Sequence, residues 1–400
     1  MRDLVLHLTD VAGPLRFAPY ELVAVAAMLL FGSVVVFGFV LPVAGITSWL
    51  ERRVWARMQS RVGPNRVGPQ GFLQWLADGL KNLMKEDIIP SAADRRLFAI
   101  APYLVVIGFV ATFVVVPFGS ALVIADLDIG ILYITAVTGL VVVGVLMAGW
   151  ASNNKWSLLG GIRSAAQIVS YEIPAGLSIF PVVLLAGTLS MQGIIRAQGW
   201  APWQWFLFAN PFTFVAFFLF FVAALAEGNR TPFDLPEAES ELVAGFCTEY
   251  SGMRYLLFFL AEWGNLYVIG AIVTTLFLGG WQVPPLTARP AALAVLQLVT
   301  FFAKAYSFVL VAMWVRATLP RVRVDQLMTL CWKYMVPIAL VNVVGTAIWM
   351  VVVPAAVDRV VAVAMTVGGA VLVLVFLRRV RFHLRRARLQ PSDYYYSPFI

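Results

Sequence analysis

Long charge-free stretches alternate with short polar ones along the whole chain. Leu22–Leu50, Leu97–Ala125, Ile129–Asn154, Ile173–Ile195, Ala197–Ala226, Trp263–Ala288, Tyr334–Val357 and Val360–Leu377 contain no Asp, Glu, Lys or Arg. A ninth stretch, Pro290–Val315, is interrupted only by Lys304. A helix needs about 20 residues to cross ~30 Å of hydrocarbon, so the pattern predicts about nine transmembrane helices. The ~10-residue alternating strands of a transmembrane barrel are not seen. The first stretch is too long, and starts too far into the chain, to suit a cleaved signal peptide. The expected fold is therefore an all-α polytopic membrane protein.

The polar segments add smaller elements. Gly71–Lys85 has helical periodicity, with Phe72, Leu76, Leu80, Leu83 and Met84 on one face and Gln74, Asp78, Lys81, Asn82 and Lys85 on the other. Such a helix lies flat at the headgroup boundary. It reads either as a lipid-surface anchor or as a lintel over a lateral opening.

Composition agrees with this pattern. Of the 400 residues, 61% are hydrophobic and 12% charged, against about 45–50% and about 25% in soluble domains. Those proportions exclude a soluble enzyme, a disordered chain and a nucleic-acid-binding protein, despite a net charge of +8. The basic residues instead report topology. With the N-terminus outside, only Arg2, Arg16, Arg196, Arg289 and Arg359 fall in outside segments. Apart from Lys304, the remaining Lys and Arg fall in the inside segments 51–96, 151–166, 227–254, 316–333 and 378–400. The C-terminus is then cytoplasmic.

Candidate chemistry is confined to a few positions. Cys247 and Cys331 form no C-x-x-C pair, and His7 and His383 lie at opposite ends. Iron–sulfur clusters and haem need repeated ligands of these types, so any redox centre is expected on partners. The loop after the fifth span holds Glu227, Asp234, Glu237, Glu239, Glu241 and Glu249 against Arg230. It reads either as a solvated acidic loop or as a set of titratable carboxylates suited to proton handling. Pro236 would suit the first turn of a helix there. Charges within spans are costly, about 2.5–3.5 kcal/mol at the centre of a helix on an insertion scale. Lys304, Glu262 and Glu172 are therefore ion-path candidates, although Glu172 could also snorkel to a nearby interface.

Four loops carry longer motifs. The first reads Glu51-Arg52-Arg53, Gln59-x-Arg61-x-Gly63-Pro64-Asn65, Gly68-Pro69-x-Gly71, Ala77-Asp78 and Lys85-Glu86. The second runs from Gly149-Trp150-x-Ser152-Asn153 through Arg163-x-x-Ala166-Gln167 to Ser170-Tyr171-Glu172. The third is Ala226-Glu227-x-Asn229-Arg230-x-Pro232-Phe233-Asp234-Leu235, then Glu237-x-Glu239-Ser240-Glu241-Leu242 and Glu249-Tyr250. The last is Trp314-x-Arg316, Pro320-Arg321-x-Arg323-x-Asp325-Gln326-Leu327 and Trp332-Lys333. Over roughly residues 20–353 this set resembles the H subunit of bacterial NADH:quinone oxidoreductase, respiratory complex I.

The resemblance implies a subunit of a proton-translocating enzyme in the bacterial plasma (inner) membrane. It would join the membrane arm to the redox arm and form most of the path by which quinone, the substrate, arrives from lipid. NADH, FMN and iron–sulfur clusters would belong to partner subunits, and soluble neighbours would bind most of the quinone headgroup. Other membrane-arm subunits would flank the chain. Arg52, Arg61, Asp78, Arg230, Phe233, Arg316 and Arg321 would line or brace the quinone chamber. Glu172, Glu227, Asp234, Glu237, Glu239, Glu241, Glu249 and Glu262 would form an acidic path towards the proton channels, and Lys304 falls at a lysine position of the family pattern. Arg53 stands where many relatives have Lys, and Trp75 where a proline is expected. The resemblance covers eight helices in residues 1–353. Residues 354–400 add a ninth helix and a tail whose Arg378, Arg379, Arg381, Arg385, Arg386 and Arg388 would hold anionic lipid, at about 1 kcal/mol each. Competing readings are the homologous membrane component of an ion-pumping hydrogenase-type complex, a stand-alone ion transporter, and a passive anchor. A transporter would show inverted repeats and broken midplane helices, which are not evident.

Overall fold

The computed structural model describes residues 30, 32, 34, 36–236, 239–284 and 290–386. Among these, helices are joined by irregular loops, with no strand. A π-helical turn, Val36–Val40, leads into α1 (Leu41–Met58). There follow α2 (Gln74–Met84), α3 (Arg95–Thr112), α4 (Gly130–Ala151), α5 (Lys155–Ala186), α6 (Met191–Ala197), α7 (Phe206–Ala209) and α8 (Pro211–Glu227). After the acidic loop come α9 (Glu239–Leu242), α10 (Gly252–Phe277) and α11 (Pro290–Thr318). The helix α12 (Val324–Thr329) passes through a π-helical stretch, Leu330–Met335, into α13 (Val336–Val352), and α14 (Ala355–Arg386) ends the described chain.

Seven helices among the described residues are long and apolar enough to cross a membrane: α3, α4, α5, α10, α11, the continuous α12–α13, and α14. The apolar α8 is shorter, and the start of the first expected span lies outside the described residues. Local chemistry fixes the helix ends. Asp94 caps α3 by accepting from the backbone N–H groups of Arg96 and Leu97. Asn210 and Thr213 form a reciprocal capping box on α8, with Pro211 at its first position, where no backbone N–H is needed. The end of α5 is turned by Gly187 at φ +68°, a conformation that costs glycine little.

The fourth span differs from its sequence pattern. The uncharged stretch begins at Ile173, but α5 begins at Lys155 and carries Arg163 and Glu172 within one helix. Glu172 therefore lies mid-helix. The other expected helix start, at Pro236, runs into residues 237 and 238, which lie outside the described residues; the described helical turn is Glu239–Leu242.

Three buried clusters hold the bundle: one around Phe98, Phe109, Phe113 and Tyr267, one around Ile179, Phe220 and Leu276, and one around Tyr171, Leu225 and Met313. Outward faces stay apolar, as at Leu132, Val143 and Val341, which suits lipid rather than water. The apolar face of α2 is exposed as well, through Leu76, Leu80, Leu83 and Met84. Its other contacts fasten it to the bundle. The Trp75 ring lies on Gly45 of α1 so closely that a Cβ there would meet ring atoms at 2.5–2.9 Å. The last helix, α14, packs at its edges, with Trp314 against Phe376 and Trp349 donating to Asp358 at 2.9 Å.

Candidate functional site: a buried carboxylate–arginine cluster

The site is assembled where α8 ends. Gly228 donates to Ala224 O at 2.9 Å, and Asn229 takes φ +50°. This reversal brings the Arg230 N–H back to Leu225 O at 3.1 Å and sends the side chain into the bundle, where it is 2% exposed. The rest of the loop is tied to its neighbours. Gln167 of α5 donates to Ala226 O at 2.7 Å, Phe233 O at 2.8 Å and Asn229 Oδ1 at 3.1 Å. Phe233 lies beside Tyr171, whose hydroxyl donates to Leu327 O at 3.0 Å. Val322 N–H donates to Pro232 O at 2.9 Å, joining this loop to the one after α11.

Around Arg230 the charges alternate. Its Nη1 donates to both carboxylate oxygens of Glu51, at 2.9 and 3.1 Å, and its Nη2 lies 3.2 Å from Glu262 Oε1. Arg316, at the end of α11, also bonds Glu51 and lies over the Trp55 ring. Arg321 pairs with Asp234 at 3.2 Å. Burial pushes the Asp234 carboxyl above its ordinary range, and Arg321, Arg316 and Arg230 pull it part of the way back. Three carboxylates thus face three guanidinium groups, and buried charges persist only when matched in this way.

Two cavities extend the polar line. One, of about 50 Å³, is lined by Glu262, Asn265, Asn229 and Glu227. The other, of about 90 Å³, is lined by Glu227, Asn265, Thr138, Thr135 and Glu172. Both are roomy enough for water, which needs polar partners and about one probe sphere of space. Glu227 and Asn265 line both. Carboxyl groups therefore follow one another from Glu51 through Glu262 and Glu227 to Glu172.

The other expected residues lie around this line. Arg52 bonds Asp78 of α2 at 2.5 Å and lies over the Trp263 ring, at the edge of the cluster. Glu241 pairs with Arg163 at 2.6 Å, and Glu249 accepts from Asn154 at 2.6 Å; both are occupied near the start of α5. Arg61 is exposed and donates only within its own loop, to Gln59 at 2.7 Å. Glu237 and the side chain of Glu239 lie outside the described residues. Lys304 is apart from the carboxylates, donating to Leu278 O at 2.7 Å and Gly280 O at 3.0 Å. The sequence reading missed Glu51, which looked like one border charge beside Arg52 and Arg53. It also passed over Asn265 and the clamp role of Gln167, both uncharged polar residues in long apolar helices.

Comparisons with known proteins place the chain in a family. Residues 31–347 match the family described as NADH dehydrogenase. The H subunit of NADH-quinone oxidoreductase from Anaeromyxobacter dehalogenans is 55% identical over 388 residues, covering 93% of this chain and 92% of that protein. The H subunit from Chlorobaculum tepidum is 49% identical over 306 residues, 74% of this chain and 84% of its own. The NADH-quinone oxidoreductase subunit 8 of Rhodothermus marinus is 48% identical over 312 residues, 75% and 91% of the respective chains. With a relative this similar along almost its full length, and the family match spanning most of the helices, the chain belongs to the H-subunit family of NADH-quinone oxidoreductase.

Proposed function

We propose that this membrane subunit of NADH-quinone oxidoreductase forms the quinone chamber and couples quinone reduction to proton translocation. Quinone arrives from the bilayer beneath the exposed apolar face of α2 and meets the guanidinium groups of Arg52, Arg230, Arg316 and Arg321. NADH, FMN and the iron–sulfur clusters belong to soluble partner subunits docked on the loop side, which is cytoplasmic. Phe233 and Asp78 brace the chamber wall.

Adding electrons to a bound quinone places negative charge beside the Arg230 cluster, and a balanced set of ion pairs responds by re-partitioning protons among its carboxyls. The observation that carries this reading is the position of Glu227, which lines both cavities between Glu262 and Glu172. A proton released or taken up at the cluster therefore has a protonatable group within each successive space. In the assembled complex, Glu227→Gln should impair proton pumping or quinone reduction, read together as acidification of vesicles and NADH consumption. Parent rates of both would overturn the assignment.

A further inference from the structure

Lys304 lies inside a span and outside the carboxylate line, so its placement needs its own account. The larger cavity follows α10 through Asn265, Ile269, Ile272 and Leu276, a length of about 16 Å at the rise of an α-helix. Its far end is lined by Ile131, Met191 and Leu276. One residue later α10 ends at Phe277, and the next carbonyls, of Leu278 and Gly280, are those that receive the Lys304 ammonium. The Trp205 ring lies 4.8 Å from the ammonium and packs against the same apolar cluster that walls the cavity.

The C-terminus of a helix carries partial negative charge and unpaired carbonyls. At the end of a proton-bearing cavity such carbonyls would attract a hydrated proton. Here they are occupied. Gln198 donates to Thr275 O at 2.9 Å and Leu276 O at 3.2 Å, and accepts from Gly279 N–H at 2.9 Å. At the adjoining end of α6, Gln282 donates to Ile195 O and Gln198 O, both at 2.6 Å. Lys304 takes the next carbonyls, of Leu278 and Gly280, and adds a positive charge. No carboxylate among the described residues pairs with it; Asp126, at the same end of the bundle, accepts from Ser190 at 2.9 Å.

We propose that Lys304 seals the far end of the carboxylate line, a cation that keeps protons from leaking past Met191 and Leu276. Cations placed at pore constrictions exclude protons by the same electrostatics. The inference rests on the proton-path reading above. It is tested on the assembled complex in sealed proteoliposomes under an imposed pH gradient, with no NADH present. Lys304→Gln should raise the passive proton leak severalfold, Lys304→Arg should restore tightness, and the Glu227→Gln, Lys304→Gln double variant should be as tight as the parent. A tight Lys304→Gln complex, or a leak that persists in the double variant, overturns the proposal. If Lys304→Gln fails to assemble, Trp205→Leu, which removes the ring over the ammonium, should leak instead; a tight Trp205→Leu complex would also overturn it. Failure of the proton-path reading shows separately, as normal pumping by Glu227→Gln during turnover.

Discussion

Arg230 and Glu51 are 179 positions apart and meet through two hydrogen bonds of 2.9 and 3.1 Å, with Arg230 2% exposed. This pair joins α1 to the acidic loop, and Glu262 and Arg316 are attached to it. Arg230→Met would leave Glu51 and Glu262 facing each other without their shared cation. Removing one partner of a buried pair costs about 3–5 kcal/mol. The expected result is loss of the assembled complex from membranes, measured as subunit content. Arg230→Lys, which keeps the charge but cannot fork between two carboxylates, should recover only part of it.

The clamp formed by Gln167 makes a second case. Gln167→Leu removes one donor each from Ala226 O and Phe233 O, which keep only the local N–H groups of Asn229 and Leu235, and each hydrogen bond lost is worth about 0.5–1.5 kcal/mol. Faster amide hydrogen exchange across Gly228–Leu235 is expected, with little change in α3 or α4. Unchanged exchange in the loop would show that Val322 and Tyr171 hold it without Gln167.

Gly45 leaves no room for a side chain beneath Trp75. Gly45→Val should push α2 away from α1 and raise the KM for quinone. Adding Trp75→Leu should restore it, because the smaller side chain vacates the space. Equal KM values for parent and Gly45→Val would remove α2 from the quinone route.

Asp234 sets a pH dependence. Its folded carboxyl titrates above the ordinary value of about 3.9 for an aspartate, because burial outweighs its arginine neighbours. The folded state thus binds the proton more tightly than the unfolded chain. Stability present below the ordinary value is lost as pH rises through the raised one. Arg321 is 31% exposed, and pairs that exposed are worth at most about 1 kcal/mol, too little to reverse the sign. Asp234→Asn should flatten the fall in Tm between a pH below that ordinary value and one well above it. A Tm lowered equally at both would contradict the burial argument.

Much of the architecture is legible because hydrocarbon tolerates few charges, so charge-free stretches mark spans. The same signal misplaces α5. Arg163 and Glu172 interrupt the apolar stretch, yet the helix carries both, because Glu241 pairs with one and a cavity receives the other. The acidic loop also shows in the sequence as an excess of carboxylates. Its central partner does not. Glu51 sits next to two arginines in sequence, while its buried partners, Arg230 and Arg316, come from distant segments. Lys304 was conspicuous as a charge, but nothing in its neighbours indicates backbone carbonyls rather than carboxylates as its partners.

The π-helical stretch at Leu330–Met335 has a consequence for α13. Leu327, Cys331, Met335 and Ala339 recur every four residues and are all buried in one cluster. In a regular α-helix each residue advances about 100°, so a spacing of four would drift steadily around the axis. The wider i to i+5 turn cancels that drift, and the four side chains stay in line against α5 and α8. Register beyond this point therefore depends on the number of residues in the turn more than on their identity. Deleting any one of them would rotate Asn342 and Thr346, both buried now, out of the seam they occupy.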